Sequence, residues 1–245
     1  MIIHEQGRSR LHLLWAFLMC LNAVALGQQV SVTGRVEFAG AAKDTKSAKK
    51  SSIPPVVVWL SPLDAARIAD PPATQSSHLR LAQKNKQFEP HILVVPVGAA
   101  VEFPNLDPWF HNVFSLFDGK RFDLGLYEAG DSRIVHFDRE GVSYIFCNIH
   151  PQMSGVVVAL KTPYWAISDG RGDISFSNVP PGRYVLHIWS EMAAPEILNA
   201  ASRQLTITQD EHALGTIRIA TTPAAPPPHK NKYGRDYDPQ NGSYN

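Results

Sequence analysis

An all-β chain built from packed sandwich layers is what this sequence predicts, and three observations carry the prediction. Past residue 27 no long segment repeats its apolar residues with the 3.6-residue period of a helix. Short runs rich in Val, Ile, Phe and Tyr recur instead, punctuated by Gly, Pro, Asn and Asp. Six such runs fall between residues 91 and 160, a density that suits two facing sheets.

Taken in order, residues 1–27 read as a secretory signal. Arg8 and Arg10 precede an apolar run from 11 to 26 that only His12 and Asn22 interrupt, and Ala25 and Gly27 are the small residues expected before a cut after Gly27. The run is too short and too poorly flanked for a spanning helix. The expectation is therefore a periplasmic or secreted mature chain with no membrane span, with retention of the segment as an anchor as the alternative. Met19 before Cys20 is not the small residue a lipid-anchoring signal wants.

Strands are expected over 30–38 and 56–60, separated by an exposed polar loop over 43–52. A short helix over 64–69, broken by Pro71 and Pro72, leads into a linker that ends at 82. Strands resume over 91–97, 100–103, 111–116, 133–137, 143–146 and 154–160, with 117–130 as an enlarged surface loop. A second group covers 164–168, 173–176, 184–189, 204–208 and 214–219. The tail, 222–245, opens with Pro223, Pro226, Pro227 and Pro228 and is too poor in apolar residues to pack, so it is expected to be disordered.

The charge balance removes one class of function. There are 23 Lys and Arg against 22 Asp and Glu, a net charge of +1, and no basic block interleaved with aromatics. The electrostatic footprint of a nucleic-acid binder is missing.

Chemistry concentrates in Cys147-Asn-Ile-His150-Pro-Gln-Met153. Once the signal is removed Cys147 is the sole cysteine, so it has no internal disulfide partner in an oxidising compartment. Strand alternation puts Ser143, Ile145 and Cys147 on one face, and the following loop brings His150 and Met153 to the same end. His111 starts another strand upstream. Two imidazoles, a thiolate and a thioether are the donor set of a mononuclear trigonal copper site with a weak axial methionine, whereas structural zinc wants four strong donors. A second cysteine for a binuclear centre is missing. Each residue alone has a plain reading, with Met153 as core filler, each histidine a satisfied polar group and Cys147 an inert apolar residue; their joint spacing favours metal. A Cys/His nucleophile pair is the enzymatic competitor, but no strand-to-helix elbow exposes the thiol and Met153 would be idle.

Phe103-Pro-Asn105, His111-Asn-Val113 and Gly141-Val-Ser-Tyr-Ile-Phe-Cys147-Asn-Ile-His150-Pro-Gln-Met153 resemble the cupredoxins, and the loop spacing is nearest to amicyanin. The resemblance covers residues 83–161. It implies a Greek-key sandwich holding one copper per chain through His111, Cys147, His150 and an axial Met153. It also implies that Asn112 ties the ligand loop and supplies a main-chain donor to the cysteine sulfur. The His150 edge is expected to face solvent and pass electrons to a redox protein, such as a c-type cytochrome or a dehydrogenase. Trp109, Phe110, Phe114 and Phe117 are candidates for an apolar shell or for ordinary core.

The stretch from Asp169-Gly-Arg-Gly-Asp to Val179-Pro-Pro-Gly-Arg-Tyr-Val-Leu resembles the carboxypeptidase regulatory-like, or transthyretin-like, sandwich. Such domains open with strands like those at 30–38 and 56–60. Residues 28–63 and 162–221 are therefore expected to form one small second sandwich, with the copper domain inserted between its second and third strands; the competing reading attaches 28–63 to the copper domain. Arg171-Gly-Asp173 is read as turn chemistry, not as an adhesion signal. The functional expectation is an electron carrier, not an enzyme, with copper transport or storage as the alternative.

Overall fold

The computed structural model describes residues 29–39, 53–64, 79–116, 119–220 and 230–237. The expected signal, the polar loop over 43–52 and, beyond Asp64, the short helix over 64–69 lie outside the described residues. Within them the chain is all-β apart from one short helix.

Two strands come first, β1 (Val30–Ala39) and β2 (Val57–Pro62). Next follow β3 (Ala82–Lys84), β4 (Gln87–Glu89), β5 (Ile92–Pro96), β6 (Ala100–Pro104), β7 (His111–Ser115), β8 (Phe122–Tyr127), β9 (Ser132–His136), β10 (Gly141–Cys147) and β11 (Ser154–Leu160). The chain continues with β12 (Trp165–Ile167), β13 (Asp173–Val179), β14 (Gly182–Trp189), α1 (Pro195–Ala201), β15 (Arg203–Ile207) and β16 (Ala213–Ala220). Pairing follows these three groups. The sheets β13-β1-β16 and β12-β2-β14-β15 use only the first and third, while β5-β11-β10-β7-β8, β3-β4 and β6-β9 use only the middle one.

Two apolar clusters hold the layers. Val95, Val113, Ile145 and Val157 of the five-stranded sheet pack with Val101, Phe103, Val135 and Phe137, which closes a sandwich around Cys147 and Met153. The opposite face of the same sheet, through Ile92, Val94, Val156, Val158 and Leu160, joins the cluster that contains Val32, Val36, Leu60, Phe176 and Leu186. Strand β11 therefore has no solvent face. Its unbroken Val-Val-Val-Ala-Leu run follows from that, because alternate residues must satisfy two different cores.

Three segments differ from expectation. The expected loop over 117–130 contains β8, which pairs with β7; Asp123 and Gly125 gave it the look of a turn, yet Tyr127 closes it onto the core. The end of the expected linker carries Leu81, fully buried in the cluster around Cys147. The helix α1 was not anticipated; it begins with a proline in its first turn, where the missing N–H costs nothing, and buries Leu198.

Candidate metal centre

Two neighbouring strands bring the candidate ligands together. His111 opens β7 and Cys147 closes β10, and the two strands pair through Phe146 with Phe114 and Cys147 with Val113. The thiol thus sits beside the His111 end of β7. The loop after Cys147 is short and closed by its own backbone. Asn148 N–H donates to the Asn112 carbonyl at 2.9 Å, Met153 N–H to the His150 carbonyl at 3.0 Å, and Cys147 N–H to the Met153 carbonyl at 3.2 Å. These bonds turn the chain so that His150 and Met153 return to the level of Cys147. His111, Cys147 and Met153 have no solvent exposure and His150 has 2%.

Three donor atoms converge. Cys147 Sγ lies 3.6 Å from His111 Nδ1 and 3.5 Å from His150 Nδ1, and the two Nδ1 atoms are 3.2 Å apart. A metal with nitrogen and sulfur bonds of roughly 2.0–2.3 Å at angles of about 105–120° separates such donors by about 3.2–3.7 Å, so the triangle has the size of a coordination sphere. His111, Cys147 and His150 are thus a buried group of side chains close enough together to hold a metal ion. The donor set is soft sulfur plus imidazole, which fits copper.

The electrostatics leave all three groups uncharged in the absence of a cation. Burial pushes the Cys147 thiol up, while main-chain N–H groups of Asn112, Ile149 and His150 favour its thiolate. Burial pushes His150 down to about 4, and the charges of His111 and Lys86 act in the same direction. Burial likewise lowers His111, against the pull of Asp107. Neutral imidazole nitrogens and N–H donors already aimed at sulfur are what a cation needs on arrival.

Asp107 is a site residue that sequence reasoning missed. Its Oδ2 lies 3.0 Å from His111 Nε2, and the carboxylate is 4% exposed. The other partners of this buried charge are the N–H groups of Asn85 and Lys86, at 2.5 and 2.8 Å. Those two residues, both with φ of 56°, form the two-residue turn between β3 and β4. Asn105 shapes the approach, its Oδ1 accepting from Asp107 N–H at 3.0 Å and its Nδ2 donating to the Trp109 carbonyl at 2.7 Å. A carboxylate one helical turn's spacing before a candidate ligand histidine was the signal available in the sequence.

Other expectations are refined or corrected. Asn112 ties the ligand loop through its carbonyl and donates its main-chain N–H toward sulfur, as the resemblance implies, while its side-chain Nδ2 goes to Asp123 Oδ1 at 2.6 Å and to the Gly125 carbonyl at 3.0 Å. The His150 edge was expected in solvent and is buried instead, its Nε2 enclosed without a hydrogen-bond partner among the described residues. The charges of Lys86, on the unforeseen β3–β4 turn, and of Asp107, between β6 and β7, act on His150 in opposite directions. Of the aromatic candidates, Phe114 is buried against Phe146, Trp109 lies under Lys86 and Phe110 is exposed; Phe117 lies outside the described residues. The tail also departs from expectation over 230–237, which hydrogen-bonds to Cys147, Asn148 and Asp123. These anchors are polar, so the scarcity of apolar residues in the tail gave no hint of them.

No protein-family model and no curated protein matches the chain. Among solved structures it is similar to a purple cupredoxin from Nitrosopumilus maritimus, with 28% identity over 34% of this chain and 99% of that one and a TM-score of 0.31. A copper-containing nitrite reductase from Thermus scotoductus SA-01 matches at 25% identity over 41% of this chain, with a TM-score of 0.33; the match spans 27% of that enzyme. An oxidised amicyanin variant matches at 22% identity over 42% of this chain and 98% of its own length, with a TM-score of 0.33.

Proposed function

We propose that His111, Cys147, His150 and Met153 of this chain would hold one copper ion, and that the protein carries single electrons between redox proteins. The observation that carries the proposal is the buried triangle of Cys147 Sγ, His111 Nδ1 and His150 Nδ1, with Met153 on the same closed loop. When bound, copper supplies the Cu(I)/Cu(II) couple.

The chain's own residues account for the rest. Paired strands β7 and β10 fix the spacing of His111 and Cys147, so the donor positions do not depend on a flexible loop alone. Asp107 holds the Nε2 side of His111 and leaves Nδ1 for the metal. The main-chain N–H groups around Cys147 stabilise its thiolate, and full burial excludes water from the site. A packed, dry site of this kind favours electron transfer over ion exchange, since releasing the ion requires opening the core around it.

The expected partner is a redox protein, such as a c-type cytochrome or a dehydrogenase, in the periplasm or outside the cell. We also propose that residues 28–63 and 162–221 make one sandwich that carries the 83–161 domain as an insertion. The segregation of strand pairing supports that division.

Copper loading followed by visible absorption and electron spin resonance tests the function. An intense thiolate-to-copper band is expected in the wild type and its loss in Cys147→Ala. Copper bound without that band would sink the electron-transfer reading in favour of transport or storage.

A further inference from the structure

We infer that residues 230–237 form a strap that positions the metal-binding loop, with Tyr237 and Lys232 as its positioning residues. The inference rests on the copper reading for its purpose, though not for its contacts.

The strap is folded on itself. Asn231 Oδ1 accepts the N–H groups of Tyr233 and Arg235, each at 3.0 Å. Asn231 N–H donates to the Arg235 carbonyl and Gly234 N–H to the Asn231 carbonyl, both at 2.9 Å, and Gly234 has a φ of 73°. An asparagine that caps the amides following it, with glycine in the left-handed region, is turn chemistry. The segment therefore arrives as a preformed knot, which lessens the entropy lost on docking.

Three of its contacts land on the ligand loop or on a residue that braces the start of β7. The Tyr237 hydroxyl donates to the Cys147 carbonyl at 2.8 Å, and Lys232 N–H donates to Asn148 Oδ1 at 2.9 Å. Lys232 Nζ lies 2.8 Å from Asp123 Oδ2, and the other oxygen of that carboxylate accepts from Asn112, the residue after His111. The Asn148 N–H bond to the Asn112 carbonyl completes the circuit. The strap thus joins the end of β10 to the start of β7, and relative motion of these two places would disturb the donor triangle. Tyr237 reaches Cys147 across 90 positions of sequence, so local chain geometry does not bring them together.

Hydrogen exchange of the metal-free protein and copper release to a chelator are the test, applied to the full chain, to Tyr237→Phe and to a chain ending at His229. Tyr237→Phe keeps the ring and removes only the hydroxyl. It should speed exchange at the Asn148 and Ile149 amides, and copper release, by roughly two- to tenfold, the range for one lost hydrogen bond. The shortened chain should exceed it. Exchange at Leu186, in the sheet β12-β2-β14-β15, should not change, which separates positioning from general destabilisation. The thiolate-to-copper band should persist with a shifted maximum. Unchanged exchange and release in both variants, with the band intact in the wild type, would overturn the strap and leave the copper reading standing. A wild type without the band would overturn the copper reading, and exchange in the metal-free protein would still decide whether the strap grips the loop.

Discussion

His111 Nε2 stands 3.0 Å from Asp107 Oδ2, and both side chains are buried. A carboxylate accepts, so Nε2 carries the proton and Nδ1 is left with its lone pair facing Cys147 Sγ and His150 Nδ1. The same carboxylate is held by the N–H groups of Asn85 and Lys86. The orientation of one candidate ligand is thereby tied to a turn from a different part of the sandwich.

Asp107→Asn places an amide where three donors converge on a carboxylate, so at least one N–H loses its acceptor. Copper affinity should fall about 10- to 100-fold, the usual effect of removing a group that orients a ligand histidine. Competition against a chelator of known affinity measures it. An affinity equal to that of the wild type would show that His111 needs no such support.

Met153 is fully buried, and Met153→Leu nearly conserves its volume. The folded protein should lose less than about 1.5 kcal/mol. The thiolate-to-copper band should remain, because Cys147, His111 and His150 are untouched. The reduction potential should rise, since a thioether donor supports the oxidised ion more than the reduced one. Voltammetry reads this directly, and a potential equal to the wild type's would remove Met153 from the ligand set.

The parts of this molecule legible in its sequence are those with a short repeat or a fixed spacing. The 154–160 run named a strand because both of its faces needed apolar residues, and β11 has those bounds. Cys-x-x-His named a loop whose thiol and imidazole the structure brings together with a histidine 36 positions before the cysteine, and Met153 is buried in the same apolar cluster as Cys147. Asp107 offered only its spacing before His111, because the rest of its role depends on N–H groups of the β3–β4 turn, which no pattern near Asp107 announces. The burial of the His150 edge was likewise not announced by any pattern in the ligand loop itself. Strand β8 hid behind Asp123 and Gly125, and the strap behind anchors that are hydrogen bonds instead of apolar contacts.

Leu160 closes β11 within the cluster that the five-stranded sheet shares with Val32, Leu60 and Leu186. Leu160→Ala should cost about 2–5 kcal/mol, the range for a buried leucine whose cavity does not collapse. Because that cluster joins sheets from both ends of the chain, urea unfolding followed by far-ultraviolet circular dichroism should remain one transition, shifted to lower urea. Two separated transitions in the wild type would show that the shared face does not couple the layers.

His91 and Glu191 form the contact with the clearest pH dependence. His91 Nε2 lies 2.6 Å from Glu191 Oε2, and its Nδ1 lies 3.2 Å from the carbonyl of Ser154, the residue after Met153. Both ring nitrogens face acceptors, an arrangement that suits the imidazolium. The Glu191 hydrogen bond raises the His91 pKa above 6.5, burial opposes it, and the Glu191 charge and the Ser154 carbonyl add to the rise. A folded-state pKa above the unfolded one means that the folded state binds the proton more tightly. The contribution is therefore fully present below 6.5 and is lost as pH rises through the folded value. With the two side chains 46% and 29% exposed, solvent screening limits it to about 0–1 kcal/mol. His91→Gln should accordingly lower the urea midpoint on the acidic side of 6.5 and approach the wild type in alkaline buffer. A deficit of equal size at both ends would mean that the imidazole contributes by packing and not by charge.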